Sequence, residues 1–121
     1  MVELAFWHEL RVPSPERAEE RYLQIVGDEH PVPLGELDQR LQDFVCGVRV
    51  RAPEVRILEL GHAAGEPLFS RLGIVVTFPD ELTKQVYPKV VAATDEPRLH
   101  TYDRKDKFVM GIDTDPDIIV H

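Results

Sequence analysis

The chain opens on an alternation. Val2, Leu4 and Phe6 recur at every second position, with Glu3, Ala5 and Trp7 between them. A period of two sends successive side chains to opposite faces, so residues 2–8 read as a strand packed on one side. The pattern then changes period. Ser14 followed by Pro15 suits a helix start, with Ser as the N-cap and Pro at the first helical position. Ala18, Tyr22, Ile25 and Val26 follow at helical spacing, with Glu16, Glu19, Glu20 and Arg21 on the other faces and Gly27 as the stop. Residues 28–35 carry Pro31 and Pro33 and read as a loop. Leu37, Leu41, Phe44, Val45 and Val48 form a second helical stripe that ends before Pro53. Gly47 lies within it and weakens it by about 1 kcal/mol relative to Ala. The alternation of Val48, Arg49, Val50 and Arg51 leaves a strand open for its end.

Residues 55–60 suit an edge strand, 61–67 a loop, and the β-branched run from Leu72 to Phe78 a central strand. Asp80 is expected to cap a third helix with Leu82, Val86, Val90 and Val91 inward, kinked or split by Pro88. Residues 99–102 and 108–112 flank Asp103-Arg104-Lys105-Asp106, which reads as a polar hairpin turn. With the second helix as an insertion, the order is βαββαβ plus one extra C-terminal strand. That predicts an α+β, ferredoxin-like (split βαβ) domain, an antiparallel sheet with its helices on one face.

The prediction leaves the other sheet face open. If Val2, Leu4 and Phe6 meet the helices, Trp7 points away from them. With Leu99, Phe108, Met110 and Ile112 inward, Arg98, His100, Tyr102 and Val109 share the outer face with Trp7, joined by Val75 and Thr77. Trp7, His100 and Tyr102 then have the composition of a binding hot spot. The covered alternative folds residues 113–121 or the loop from 61 to 68 over Trp7.

Length and charge narrow the function. At 121 residues the chain is one domain, 1–121, with enough surface to bury a core unaided. With 43% hydrophobic and 30% charged residues it reads as neither a disordered tail nor a membrane span. Lys and Arg number 14 against 22 Asp and Glu, a net charge of −8, which argues against nucleic-acid binding and favours a basic partner. On the first helix, Glu16, Glu19 and Glu20 are the candidate docking surface for one. The alternative is a merely solvated face. The N-terminus lacks a basic stretch ahead of its short apolar run and no segment suits a membrane span, so a cytoplasmic protein is expected.

Chemistry is sparse. The single cysteine, Cys46, makes no internal disulfide and reads as a small buried hydrophobe of the second helix. His8, His30, His62, His100 and His121 fit no zinc spacing. Asp113, Asp115 and Asp117 open like a calcium loop, but Ile118 stands where glycine is needed and the chain ends without the closing Glu. Gly61-His62-Ala63-Ala64-Gly65 lacks the Lys-Ser/Thr of a phosphate loop. No catalytic residue, metal site or cofactor is therefore expected.

Two stretches carry a resemblance. Leu4-Ala5-Phe6-Trp7-His8 closes the first strand, and Val86-Tyr87-Pro88-Lys89-Val90-Val91-Ala92-Ala93 is followed by Leu99-His100-Thr101-Tyr102-Asp103. Together they resemble small uncharacterised bacterial proteins, some of them immunity or accessory proteins of toxin systems. That pattern runs from its Tyr-Asp into Pro-Gln, where this chain has Arg104-Lys105. The resemblance implies no particular functional residue. It favours a non-catalytic interaction protein, an immunity protein that neutralises a basic bacterial toxin by occlusion. The alternative is a homodimeric small-ligand-binding protein or cofactor-free enzyme. Its open sheet faces would stack around a pocket, with His100 as proton carrier.

Overall fold

The computed structural model describes residues 1–111. Its elements in chain order are β1 (Val2–Trp7), α1 (Pro15–Val26), β2 (Val32–Pro33), α2 (Gln39–Arg51), β3 (Arg56–Ile57), β4 (Gly61–Ala63), β5 (Glu66–Phe69), β6 (Ile74–Phe78), α3 (Thr83–Ala92), β7 (His100–Asp103) and β8 (Phe108–Met110). Single 3₁₀ turns precede α2 and α3. The Asp113–Asp117 acidic run and the end of the last expected strand, Ile112, lie outside the described residues.

The protein is α+β, and its strands form antiparallel sheets. Five strands run in the order β3-β6-β1-β7-β8, with β1 central. Each β1 face is apolar: Leu4 and Phe6 point one way, Ala5 and Trp7 the other, and all four are buried. Such a strand needs cover on both sides. α2 and α3 supply it on one side, where Phe44, Val45, Val48, Val86 and Val90 pack on Leu4, Phe6 and Val76. On the other, α1 lays Ala18, Tyr22 and Ile25 over Ala5, Trp7, Val75 and Tyr102.

This corrects the expected one-sided arrangement: helices lie on both faces, and the sheet face carrying Trp7 is not open. The sheet itself is antiparallel, as expected: every pair among the described residues is antiparallel, with β1 between β6 and β7 and β8 added beyond β7.

Local signals fared better. Ser14 caps α1, accepting from the Arg17 amide at 3.3 Å, with Pro15 as its first residue and Gly27 at its end. Asp38 caps α2 through the Arg40 amide at 2.7 Å. α2 continues to Arg51, so Val48–Arg51 is helix and not strand. Pro88 does not split α3: Thr83–Ala92 is one helix, with Val86 and Val90 on either side of Pro88 buried in the core.

Asp80 does not cap α3. It begins the 3₁₀ turn, and its carboxylate binds the N-terminal ammonium at 3.4 Å and Lys105 Nζ at 3.3 Å. Those two cations hold its pKa below the usual carboxylate range.

Two expected loops contain strands. Residues 61–67 are largely a hairpin, β4 and β5, turned by Ala64 and Gly65 at φ 52° and 81°. Two successive left-handed residues match the twist of a two-residue hairpin. β5 then pairs with β2 from the other expected loop. This small sheet adds Val32 and Phe69 to the core on the α2 side.

Candidate functional site

α1 is held to the sheet by a polar cluster at one end of the face it covers. Tyr102, fully buried on β7, donates its hydroxyl to Glu19 Oε1 at 2.8 Å. Arg104, just past β7, binds Glu19 at 3.2 Å and Glu3 at 3.3 Å, and its guanidinium lies 4.3 Å over the Tyr22 ring. Tyr22 donates its own hydroxyl to Glu3. The backbone repeats the connection, since the Arg104 amide bonds to the Glu3 carbonyl at 3.1 Å.

The charges in this cluster satisfy one another. Burial alone raises the Glu19 carboxyl, but the hydrogen bonds from Arg104 and Tyr102 together outweigh it and hold Glu19 below its ordinary value. Burial and the neighbouring Glu19 carboxylate push Tyr102 up to about 12. Tyr22 is raised in the same way, by burial and Glu3, while the Glu19 hydrogen bond leads in raising Arg104. Groups moved this far from neutral pH keep fixed charges there, which suits positioning rather than proton transfer.

These contacts fix which side of α1 faces outward. Glu16 and Glu20 are exposed, one helical turn apart, and neither has an ion pair among the described residues. Leu23, one turn further along the same stripe, is 52% exposed. Arg21 is drawn off to Glu9 at 3.1 Å and Arg104 is occupied at the inner edge, so the stripe stays acidic.

The six residues singled out from sequence therefore separate. Trp7, His100 and Tyr102 do share one face: Trp7 lies opposite His100 and Ala5 opposite Tyr102 in the ladder. All three are at most 1% exposed, and α1 packs over that face; the alternative cover by residues 113–121 lies outside the described residues. Buried in this way, none of the three lies on an exposed surface, and the expected open sheet face is covered by α1. Glu19 turns inward to Tyr102, and Glu16 and Glu20 remain outside.

His100 is a buried structural group. Its Nε2 lies 2.9 Å from the Glu9 carbonyl, which calls for the Nε2–H tautomer. Its Nδ1 has no hydrogen-bond partner among the described residues, and neither has Trp7 Nε1. The ring packs on Gly111 so closely that a Cβ there would stand 1.9 Å from Nδ1. His8 beside it is lowered by burial first, then by the charge of Arg40. Cys46 is a further correction: it points outward from α2 and is exposed, because the buried stripe is Leu41, Phe44, Val45 and Val48.

Sequence reasoning missed Glu3, Tyr22 and Arg104. Glu3 carried a usable signal, as the one charged position in an otherwise apolar central strand, which needs a cationic or hydroxyl partner. Arg104 read only as a turn residue, since its contacts with Glu3 and Glu19 span 101 and 85 residues.

Two clefts flank α3. One, of about 430 Å³, lies among Lys84, Tyr87, Asp103, Lys105 and Asp106, with Tyr87 donating to Asp103 at 3.1 Å. The other, of about 420 Å³, is bounded by Val91, Thr94, Leu99, Thr101 and Met110. No group of three His, Cys, Asp or Glu among the described residues is arranged to hold a metal ion, and no helix among them is long and apolar enough to cross a membrane. No protein-family model matches the chain, and neither the curated proteins nor the solved structures compared with it give a match.

Proposed function

We propose that this protein is a non-catalytic interaction domain that binds a basic protein through the outer stripe of α1. The observation that carries the reading is the division of labour among three neighbouring glutamates. Glu19 is committed to Tyr102 and Arg104, while Glu16 and Glu20 stand exposed beside Leu23, without an ion pair among the described residues, on a helix packed on the sheet. Exposed like charges destabilise an isolated helix slightly, whereas a basic partner turns them into an attraction that raises the association rate. Leu23 adds apolar area where such a partner would be desolvated. With the net charge of −8, this suits an immunity protein that occludes a basic bacterial toxin.

The test is affinity capture from the protein's own cells with the wild type and with Glu16→Lys/Glu20→Lys, followed by stopped-flow association with the captured protein. A basic protein is expected on the wild type. The variant should associate with it at least ~10-fold more slowly at low salt, with the difference shrinking as salt rises. Association that ignores the charge reversal excludes α1 as the docking surface.

A further inference from the structure

The cleft of about 420 Å³ beside α3 lies on the sheet face opposite α1, so it is independent of the docking stripe proposed above. Its walls are mostly apolar, formed by Val91 on α3, Leu99 just before β7 and Met110 on β8. Small-molecule sites are concave and apolar, hold a few convergent polar groups and measure roughly 300–1,000 Å³, so this one suits a small ligand.

Three polar side chains border the cleft without a partner. Thr101 is 1% exposed, and its hydroxyl makes no hydrogen bond among the described residues. The Thr94 hydroxyl, by contrast, is taken up by the Val91 carbonyl at 2.6 Å. An unpartnered buried hydroxyl is unfavourable, and a polar group of a ligand relieves it. Asp95 and Arg98 are exposed at the rim and opposite in charge, yet neither makes an ion pair with the other or with any described residue. Arg98 also holds its backbone in the left-handed region, at φ 56°. That conformation is strained for a residue with a Cβ and suits glycine. Such strain recurs at ligand clamps.

We propose that this cleft binds a free α-amino acid with an apolar side chain. The carboxylate of the ligand meets the Arg98 guanidinium, its ammonium meets Asp95, and its side chain lies against Val91, Leu99 and Met110. The Thr101 hydroxyl gains a hydrogen-bond partner from the same polar head. A zwitterion answers both rim charges at once. A fatty acid would set its carboxylate beside Asp95, and an apolar amine would set its cation beside Arg98. Arginine binds a carboxylate through two parallel hydrogen bonds, which gives a reason for arginine where the backbone favours glycine.

Isothermal titration calorimetry of the full chain with L-leucine, L-methionine and L-phenylalanine tests this. At least one should bind with a Kd of roughly 10–500 μM. Its N-acetyl derivative and its methyl ester, each lacking one charge, should bind at least ~10-fold more weakly. Arg98→Gly should weaken binding at least ~10-fold while the melting temperature stays level or rises, a combination that loss of a structural residue does not give. Asp95→Asn should weaken binding as much with an unchanged circular dichroism spectrum, and Thr101→Val about 3–10-fold. Absence of binding by all three amino acids at about 5 mM overturns the proposal. So do derivatives that bind as well as their parent, or wild-type affinity in Arg98→Gly or Asp95→Asn. None of these variants touches Glu16 or Glu20, so failure here leaves the α1 docking surface standing, and the converse holds.

Discussion

Tyr102 on β7 and Glu19 on α1 meet at 2.8 Å across 83 residues of sequence, and that bond belongs to the cluster that closes α1 over the sheet. A tyrosine hydroxyl donating to a carboxylate in a partly buried setting is stronger than a neutral pair. Tyr102→Phe should therefore cost about 1–2 kcal/mol in urea unfolding. Glu19→Gln should cost a comparable amount, and the double variant less than the sum. Strict additivity would show that the bond contributes nothing.

The same pair sets two limits on pH stability. Glu19 has its folded pKa below the ordinary value of 4.5. Its contribution is full above that value and is lost as pH falls through the lower folded one. Tyr102 is raised from 10.0 to about 12, so its contribution is full below pH 10 and lost as pH rises towards 12. Thermal melts should show Glu19→Gln flattening the acid slope and Tyr102→Phe flattening the alkaline one. Slopes unchanged in the variants would place the titration elsewhere.

Trp7 is the single tryptophan and is 1% exposed, so it reports on the seating of α1. Its emission should be blue-shifted and almost insensitive to iodide until the protein unfolds. Trp7→Ala should cost about 3–5 kcal/mol as a core truncation. A red-shifted, readily quenched native spectrum would mean that α1 does not cover this face.

Gly73 stands where the turn before β6 passes β1. A Cβ there would lie 2.6 Å from the Phe6 carbonyl oxygen and 2.6 Å from Ile25 Cδ1, whereas one at Gly35 would meet nothing within 4 Å. Gly73→Ala should destabilise by about 1–3 kcal/mol, because backbone and a buried side chain must both move. Gly35→Ala should stay within about 0.5 kcal/mol of wild type. Equal effects at the two sites would contradict the close approach of α1 and β1 at Gly73.

Cys46 is exposed on α2. A thiol reagent such as dithionitrobenzoate should modify one equivalent in the native protein without unfolding it. Reaction only after denaturation would restore Cys46 to the core.

The sequence by itself determined the local elements. Period-two and period-3.6 patterns located β1, α1, α2, β6, α3 and the β7–β8 hairpin, and Ser14-Pro15 marked the start of α1, because such signals act within a few residues. It also placed Trp7, His100 and Tyr102 on one face, since strand alternation follows from backbone geometry alone. Only the tertiary structure decided which helix covers which face. Nothing near α1 in sequence says that Tyr22 and Glu19 will find Glu3, Tyr102 and Arg104, as most of those partners are some 80 residues away. A trace of the answer was present in β1 and β6, whose side chains, Glu3 and Thr77 apart, are apolar on both faces and cannot leave one to water. That pattern says that a second layer exists, but its identity depends on long-range packing and charge pairing. For the same reason the hot spot inferred from composition proved to be core. What faces solvent is the remainder left by assembly, here Glu16, Glu20 and Leu23 on α1 and Phe108 on β8.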